Sequence, residues 1–253
     1  MSGIARTIIA AHRGGALEVP ENSPMAFRHA AELAVEYVEF DVHPSADGQL
    51  VVHHDAVFGR MTDLTGSVIE TPWAEIAKAK ITGTDGERPL LLDEVIDIFE
   101  PTAIDLRLEI KPDVDGVPYP GLEAEIANVL VQREMLPRTL ISAFNVDTLA
   151  RFKDIAAAKD LLWLVSPQTF HQIGGIGSVL ALAKRFEIPE IAPRVQVMNE
   201  GVVAAGKAAG VRIGAYAVND EADIRAMLAL GVSAFTSDRP TLALKFRGEL
   251  ARA

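Results

Sequence analysis

Cysteine is absent from the 253-residue chain, so disulfide bonds, thiolate nucleophiles and thiolate metal ligands are all excluded. Long hydrophobic runs are missing from the first residues, where Arg6 and His12 interrupt a short apolar stretch. That stretch is too short and too polar to predict a signal peptide or a membrane span. We therefore expect a soluble, cytoplasmic protein.

Positive charge is in short supply: 24 Lys and Arg residues stand against 35 Asp and Glu residues, a formal net charge of −11 at pH 7. This balance disfavours nonspecific binding to nucleic acids or anionic membranes, because both carry negative charge themselves. If the substrate is an anion, a local positive site must overcome the global field, and a metal ion could supply that charge. We expect a small-molecule partner and no nucleic acid, and the sequence carries no signal for an oligomeric state.

Short β-rich runs alternate with longer Ala-, Leu- and Glu-rich runs through most of the sequence. This alternation predicts right-handed βαβ units around a parallel sheet. About eight such units in a chain of this length favour a closed (β/α)8 barrel, with an open doubly wound sheet as the alternative. No linker or shift in composition divides the chain, so a single domain over residues 1–253 is expected.

Two features of the pattern predict element boundaries. The interval of about residues 56–104 exceeds a single crossover, and we interpret it as an insertion with short helices on the barrel rim, after the second strand. Side chains suited to helix N-caps stand where helices should begin: Asn22, Asn145, Asn199 and Asp220.

Polar side chains interrupt the predicted strands at their carboxyl ends, where the active sites of (β/α)8 barrels lie. His12 and Arg13 end the first strand. Glu39 and Asp41 lie two residues apart in the second strand, so both carboxylates face the same side. Glu109 lies near the end of a later strand, and three carboxylates from two strands would form an oxygen-rich site that suits Mg²⁺, Ca²⁺ or Mn²⁺ better than Zn²⁺.

Each of these residues also has an ordinary structural interpretation. A Glu-x-Asp pair in a strand is more often exposed or salt-bridged, and Lys111 could be a rim charge. Single histidines are usually structural or solvated, and we expect this of four: His29, His43, His53 and His171. The shared position of these residues favours a functional site instead. Histidines, acids and bases, His54 among them, all fall at the ends of predicted strands rather than on helices.

Several stretches, taken in order, resemble the glycerophosphodiester phosphodiesterase family: "AHRGG…PENSPMAF", "VEFDVHPSADGQLVVHHD" and "LEIKP". That family has His-Arg-Gly at its first strand, Pro-Glu-Asn-Thr before its first helix, Glu-x-Asp-Val before an Asp-Gly turn, and Glu-x-Lys in its third strand. Later stretches match as well, namely "ISAFN", "AYAVND" and "AFTSDRP", so the resemblance covers nearly the whole chain. It implies a (β/α)8 TIM barrel with a small insertion after the second strand.

The resemblance also implies roles for residues at the matching positions. They comprise an acid/base pair, His12 and His54, three ligands of one divalent cation, Glu39, Asp41 and Glu109, and three substrate-binding residues, Arg13, Lys111 and Tyr216. Departures from the family pattern are modest: Ser23 and Met61 each replace a Thr, and Tyr216 stands where many members carry Trp. Because that aromatic residue lies near the alcohol-binding end in the family, Tyr216 bears on substrate preference.

The implied reaction is the metal-dependent hydrolysis of glycerophosphodiesters, such as glycerophosphocholine or glycerophosphoethanolamine, to sn-glycerol 3-phosphate and an alcohol. One histidine would deprotonate the nucleophile, either water or the glycerol 2-hydroxyl, and the other would protonate the departing alkoxide. Two alternatives stay open: a phospholipase-type phosphodiesterase acting on lysolipids or other phosphodiesters, and a non-catalytic barrel that binds phosphodiesters. An amidohydrolase-type metal barrel is disfavoured, because "AAHRG" lacks the His-x-His of its first strand.

Overall fold

Strands and helices alternate along residues 6–252, the part of the chain that the computed structural model describes. The strands are β1 (Ile8–His12), β2 (Tyr37–Pro44), β3 (Leu50–Val52), β4 (Leu90–Leu91), β5 (Asp105–Ile110), β6 (Thr139–Ala143), β7 (Asp160–Val165), β8 (Glu190–Pro193), β9 (Arg212–Ile213) and β10 (Ala234–Ser237). The helices are α1 (Pro24–Ala31), α2 (Trp73–Ile76), α3 (Leu92–Phe99), α4 (Leu122–Gln132), α5 (Val146–Ile155), α6 (Pro167–Gln172), α7 (Ile176–Arg185), α8 (Glu200–Ala209), α9 (Glu221–Leu230) and α10 (Pro240–Leu250). None of these helices has both the length and the apolar composition needed to cross a bilayer.

The parallel strands close into a barrel in the order β10-β1-β2-β5-β6-β7-β8-β9. Backbone hydrogen bonds join the two ends of this series: the Ala215 N–H donates to the Ala234 carbonyl at 2.9 Å, and the Thr236 N–H donates to the Ala215 carbonyl at 3.1 Å. β3 lies off the barrel path and pairs in antiparallel fashion with β2 and with β4. The predicted (β/α)8 barrel is therefore confirmed, and the open doubly wound sheet is wrong.

β2 illustrates how an apolar run can carry a polar site. Val38 and Phe40 are fully buried on the outer face of the barrel, and the Phe40 ring packs edge-on against Phe27 of α1, with centroids 5.9 Å apart. Burying one such side chain contributes about 1.5–3 kcal/mol to stability. Because successive strand side chains point to opposite faces, Glu39 and Asp41 are turned into the barrel interior.

The interval of residues 56–104 contains two kinds of structure. The segment between β3 and β4 carries a short 3₁₀ helix and α2, and it packs around a small cluster of its own that includes Phe58 and Ile76. α3 instead buries Phe99 in the main core, where this ring packs edge-on against Phe27 at a centroid distance of 6.0 Å. α3 therefore packs as a barrel helix beside α1.

The N-cap prediction for α1 is wrong by one residue, and the reason bears on the cavity. Ser23 caps α1, since its hydroxyl accepts a hydrogen bond from the Ala26 N–H at 3.0 Å. Asn22 has a left-handed backbone with φ of 51° and turns inward, where its side-chain amide donates to Asp41 Oδ2 at 3.0 Å. The other predicted caps do precede helices: Asn145 before α5, Asn199 before α8 and Asp220 before α9.

Candidate active site

A cavity of about 530 Å³ opens at the carboxyl ends of the barrel strands. Six of the eight side chains singled out from the sequence line it: His12, Arg13, Glu39, His54, Glu109 and Tyr216. The other two, Asp41 and Lys111, stand directly behind the lining. Lys111 Nζ lies 2.9 Å from Glu109 Oε1 and 3.4 Å from Asp41 Oδ1. The fold therefore brings all eight residues into one place, while their individual roles stay predictions.

Strand register explains how an acidic cluster forms on one side of the cavity. β1 pairs with β2 so that His12 lies beside Glu39, and β2 pairs with β5 so that Asp41 lies beside Glu109. One carboxylate oxygen from each of the three acids lies within 4.8 Å of the other two, and all three residues are buried. Three negative charges at such spacing repel unless cations or protons offset them.

Glu39 and Asp41 respond to this repulsion with pKa shifts in opposite directions. Burial raises the pKa of Glu39 to about 7, and the charges of Asp41 and Glu109 add to the rise. Burial also acts against ionisation of Asp41, but the charges of Lys111 and Arg13 hold the pKa of this carboxyl below its usual range. Asp41 is therefore the carboxylate that the neighbouring bases keep ionised, and Glu39 is the one most ready to take up a proton.

The donor set fits a hard divalent cation. All three candidate ligands are carboxylates, and oxygen-only sites suit Mg²⁺, Ca²⁺ or Mn²⁺ rather than zinc. Asp41 Oδ1 is fully buried and has no hydrogen-bond partner among residues 6–252. Lys111 Nζ forms only an ion pair with this oxygen, at 3.4 Å, and coordination of a divalent cation would supply the partner that hydrogen bonding does not.

His12 is oriented by Asp238, to which the sequence reasoning assigned no role. Nδ1 of His12 contacts Asp238 Oδ1, which leaves Nε2 facing Glu39 Oε2 at 3.7 Å. The side chain of Asn219 accepts a hydrogen bond from the Asp238 N–H at 2.8 Å and so holds the segment in place. Burial alone would lower the pKa of His12, but the charge of Glu39 and the bond to Asp238 raise it above its usual value. The only signal in the sequence is that Asp238 directly follows the last strand, in "AFTSDRP".

His54 is held in a similar way on the loop after β3. Its Nδ1 lies 2.6 Å from Asp55 Oδ1, and Asp55 in turn accepts a hydrogen bond from Arg60 Nε at 2.6 Å. Arg60 also donates to Glu21 at 2.6 Å, so this loop is tied to the segment that follows β1. Both candidate acid/base histidines therefore have Nδ1 bound by an aspartate, an arrangement that leaves Nε2 as the nitrogen able to exchange a proton.

The unusual "HRGG" sequence forms a tight turn at the tip of β1. A Cβ atom at Gly14 would lie 2.7 Å from the backbone of Ala26, so a side chain is excluded there. Arg13 has a left-handed backbone with φ of 52°, and its N–H donates to Glu39 Oε2 at 3.1 Å. Its guanidinium donates to both carboxylate oxygens of Glu21, at 3.1 and 3.2 Å. The turn thus places a backbone donor and a positive charge beside the acidic cluster.

The opposite side of the cavity is formed by residues at the ends of β6 to β9, which we call the far wall: Phe144, Leu164, Ser166, Pro167, Arg194 and Tyr216. The Tyr216 ring packs edge-on against Phe144 at a centroid distance of 5.6 Å. Burial raises the pKa of Tyr216 to about 12, although the nearby Arg194 charge opposes the rise. Sequence reasoning missed Arg194, because "EIAPRV" resembles an ordinary strand end.

The remaining histidines take other positions, and one of them supports the site. His43 is buried, with Nδ1 3.2 Å from the Tyr119 hydroxyl and Nε2 3.2 Å from the carbonyl oxygen of His54. Burial lowers the pKa of His43 to about 4, so this imidazole is neutral near pH 7. His29 contacts Glu18 at 2.9 Å, outside the residues that line the cavity.

The fold and the cavity define the class of protein: a (β/α)8-barrel enzyme whose site lies at the carboxyl ends of the strands. The model of the glycerophosphoryl diester phosphodiesterase family matches residues 12–242. A glycerophosphodiester phosphodiesterase from Caldanaerobacter subterraneus subsp. tengcongensis is 30% identical over 240 residues, which cover 93% of this chain and 95% of the relative.

Solved structures resemble nearly the whole chain, and two of them are informative. One, from Agrobacterium tumefaciens and provisionally named as a glycerophosphoryl diester phosphodiesterase, is 38% identical with a TM-score of 0.96, covering 98% of this chain and 100% of that one. The other, a phosphodiesterase from Oleispira antarctica in complex with the product sn-glycerol-3-phosphate, is 26% identical with a TM-score of 0.80, covering 96% of each chain. The chain therefore belongs to the glycerophosphoryl diester phosphodiesterase family, as the resemblance of its motifs predicted.

Proposed function

We propose that the protein hydrolyses glycerophosphodiesters, such as glycerophosphocholine or glycerophosphoethanolamine, to sn-glycerol 3-phosphate and an alcohol, with a divalent cation as cofactor. The observation that carries the proposal is the pairing of each candidate histidine with an aspartate, His12 with Asp238 and His54 with Asp55, in one cavity with the three carboxylates. The product bound to the Oleispira antarctica relative supports sn-glycerol 3-phosphate as the product here.

The three acidic residues Glu39, Asp41 and Glu109 would hold one cation, Mg²⁺, Ca²⁺ or Mn²⁺. Such an ion supplies positive charge where negative charge develops on the phosphodiester. Arg13 and Lys111 contact these carboxylates, and their charges would meet the phosphate oxygens at the same place. Together they would provide the local positive site that a chain of net charge −11 needs to attract an anion.

The two histidines would move the protons. An aspartate that accepts the Nδ1–H of an imidazole leaves Nε2 free to take a proton from the nucleophilic hydroxyl or to deliver one to the departing alkoxide. Nε2 of His12 lies 3.7 Å from Glu39, beside the candidate metal site. His54 lines the same cavity from the loop after β3, so the two groups can act on one substrate.

The experiment is a substrate panel with identified products, run on the purified protein with defined metal ions. We expect glycerophosphodiesters to release sn-glycerol 3-phosphate and the free alcohol. Release of glycerol with a phosphorylated alcohol would contradict the proposed bond cleavage. If the diesters bind but are not turned over with any of the three metal ions, the result would support the non-catalytic barrel instead.

A second candidate, a phosphodiesterase that acts on lysolipids, is favoured by one observation. Leu17 and Phe144 both line the cavity, yet Leu17 is 57% exposed and Phe144 is 40% exposed. Apolar side chains that reach from a cavity to solvent could accommodate part of an acyl chain. The panel should therefore include a lysophospholipid, and preference for it over the matching glycerophosphodiester would favour this candidate.

A further inference from the structure

Negative charge is distributed unevenly around the cavity. Its carboxylates, on Glu21, Glu39, Glu109 and Asp238, all belong to one side, which we call the acidic half. Among the described residues, the far wall contributes no carboxylate, and its only charged group is the guanidinium of Arg194. The two sides of the cavity therefore present different chemistry to a substrate that spans it.

The backbone holds Arg194 firmly at this position. Its N–H donates to the Val165 carbonyl at 3.3 Å, and the next N–H, that of Val195, donates to the Tyr216 carbonyl at 3.1 Å. These bonds fix the chain between the ends of β7 and β9, on the rim of the cavity. Side chains at such strand ends are the ones that contact ligands in (β/α)8 barrels.

Arg194 makes no ion pair with the part of the chain that the structure describes. Across residues 6–252, no Asp or Glu oxygen lies within 4.0 Å of its guanidinium nitrogens. Arg13, by contrast, donates to Glu21 on the acidic half. Arg107 also lines the cavity without an ion pair, but it is buried beside Glu39 and Glu109, whose charges offset its own. Arg194 is thus the cavity arginine whose charge is available to a ligand.

We infer that the far wall binds the alcohol portion of the substrate and that Arg194 selects alcohols that carry an anionic group of their own, a phosphate or a carboxylate. The inference rests on the proposed function, which puts the phosphodiester at the acidic cluster and leaves the far wall to a substituent. A guanidinium donates two parallel hydrogen bonds to a carboxylate or phosphate, so it discriminates by geometry as well as by charge.

The surroundings of Arg194 disfavour the opposite kind of headgroup. The Tyr216 and Phe144 rings offer an aromatic surface that alone would attract a quaternary ammonium group such as choline. Arg194 and Tyr216 pair as neighbours in a parallel bridge at the strand ends and line the same cavity, so a cation on this surface would meet a like charge. A protein with net charge −11 repels an anionic substrate at long range, and an unpaired arginine at the mouth counters that repulsion locally.

The test uses two matched pairs of diesters whose members differ by one anionic group. Glycerophosphoglycerol is compared with its terminal phosphomonoester, and glycerophosphoethanolamine with glycerophosphoserine, at saturating metal. We expect the anionic member of a pair to have the higher kcat/KM in the parent enzyme. Replacing Arg194→Gln should lower the ratio of anionic to non-anionic kcat/KM by about 10- to 100-fold, the range of a lost charge-assisted hydrogen bond. Arg194→Lys should fall between the two, because it keeps the charge without the bidentate geometry.

Arg185→Gln is the matched control, since it makes the same charge change on an exposed residue at the carboxyl end of α7, outside the lining of the cavity. It should leave the selectivity ratios at their parent values. A ratio that falls in Arg194→Gln only for glycerophosphoglycerol and its phosphomonoester identifies the selected anion as a phosphate. A ratio that falls only for glycerophosphoethanolamine and glycerophosphoserine identifies it as a carboxylate. An equal loss on both members of each pair, or no change in either ratio, would overturn the inference alone. If no diester is hydrolysed at all, the proposed function itself fails.

Discussion

On the acidic half of the cavity each carboxylate has a base or an imidazole beside it, whereas Arg194 on the far wall has no carboxylate within 4.0 Å among residues 6–252. Paired charges hold one another in position before any substrate arrives, which is the preorganisation that catalysis needs. An unpaired charge gains its partner only from a ligand. We therefore propose that the acidic half performs the chemistry and that the far wall decides which substrate is accepted.

Removal of the divalent cation should have the largest effect, because it should abolish the function of the acidic half. We expect activity to vanish in EDTA and to return with Mg²⁺, Ca²⁺ or Mn²⁺, because three buried carboxylates without a cation repel and Glu39 readily takes up a proton. The loaded protein should also melt at a higher temperature, since a ligand at about 100 times its Kd stabilises the folded state by about 2.7 kcal/mol.

Glu39→Gln tests the same site without a chelator. It keeps the shape of the side chain and removes one charge, so metal affinity measured by calorimetry and activity should fall together. Glu75→Gln, an identical change on an exposed residue of α2, is the control. Full activity of metal-stripped enzyme, or an unchanged metal affinity in Glu39→Gln, would be incompatible with the proposed site.

Loss of either candidate histidine should have the next largest effect. Replacing His12→Ala or His54→Ala should lower kcat by about 10²- to 10⁴-fold, the usual contribution of a positioned acid or base. His29→Ala serves as the control, because His29 contacts Glu18 outside the cavity lining. Near-normal turnover by the His54→Ala enzyme would remove that residue from the mechanism and direct attention to its neighbour, His53.

Replacing Asp238 should lower kcat less than replacing a histidine does, since Asp238 acts through His12. An amide at this position can donate its own N–H to Nδ1 and so favour the wrong tautomer of the imidazole. We expect Asp238→Asn to lower kcat by about 10- to 100-fold with little change in KM, and to shift the pH profile of kcat. Asp220→Asn makes the same change on the exposed N-cap of α9 and should do neither. An unaltered pH profile would mean that Asp238 supports only the fold.

The smallest expected effect lies on the far wall, at Tyr216. The wild-type tyrosine offers a smaller aromatic face than tryptophan and adds a hydroxyl, so we expect it to tolerate bulkier or more polar headgroups, including sugar-like ones, while still requiring glycerol. Tyr216→Trp should narrow the range of accepted diesters by changing relative kcat/KM values about 2- to 10-fold, the range of a single aromatic contact. Identical relative values across the panel would place Tyr216 outside the alcohol-binding region.

Local sequence predicted the parts of this protein that depend on neighbouring residues. The alternation of Glu39 and Asp41 with Val38 and Phe40 predicts one polar and one apolar face, because the side-chain period of a strand is two. The alternation of strands with helices predicted the barrel, since the crossovers that join parallel strands are almost always right-handed. Asn22 shows the limit of this reasoning: it has the chemistry of an N-cap, yet Ser23 caps α1 and Asn22 donates to Asp41.

Only the closed barrel decided which polar residues meet across the cavity. His12 contacts Asp238 although the two lie 226 positions apart, because β10 pairs with β1 when the barrel closes. Arg60 reaches Glu21 across the loop that follows β3, and nothing in either local sequence indicates the other. Whether an arginine is paired is likewise a property of the assembled structure. Arg13 and Arg194 both follow strand ends in the sequence, but among the described residues the fold puts carboxylates, those of Glu21 and Asp41, beside only Arg13. Charge pairing depends on distance in space rather than on position in the chain.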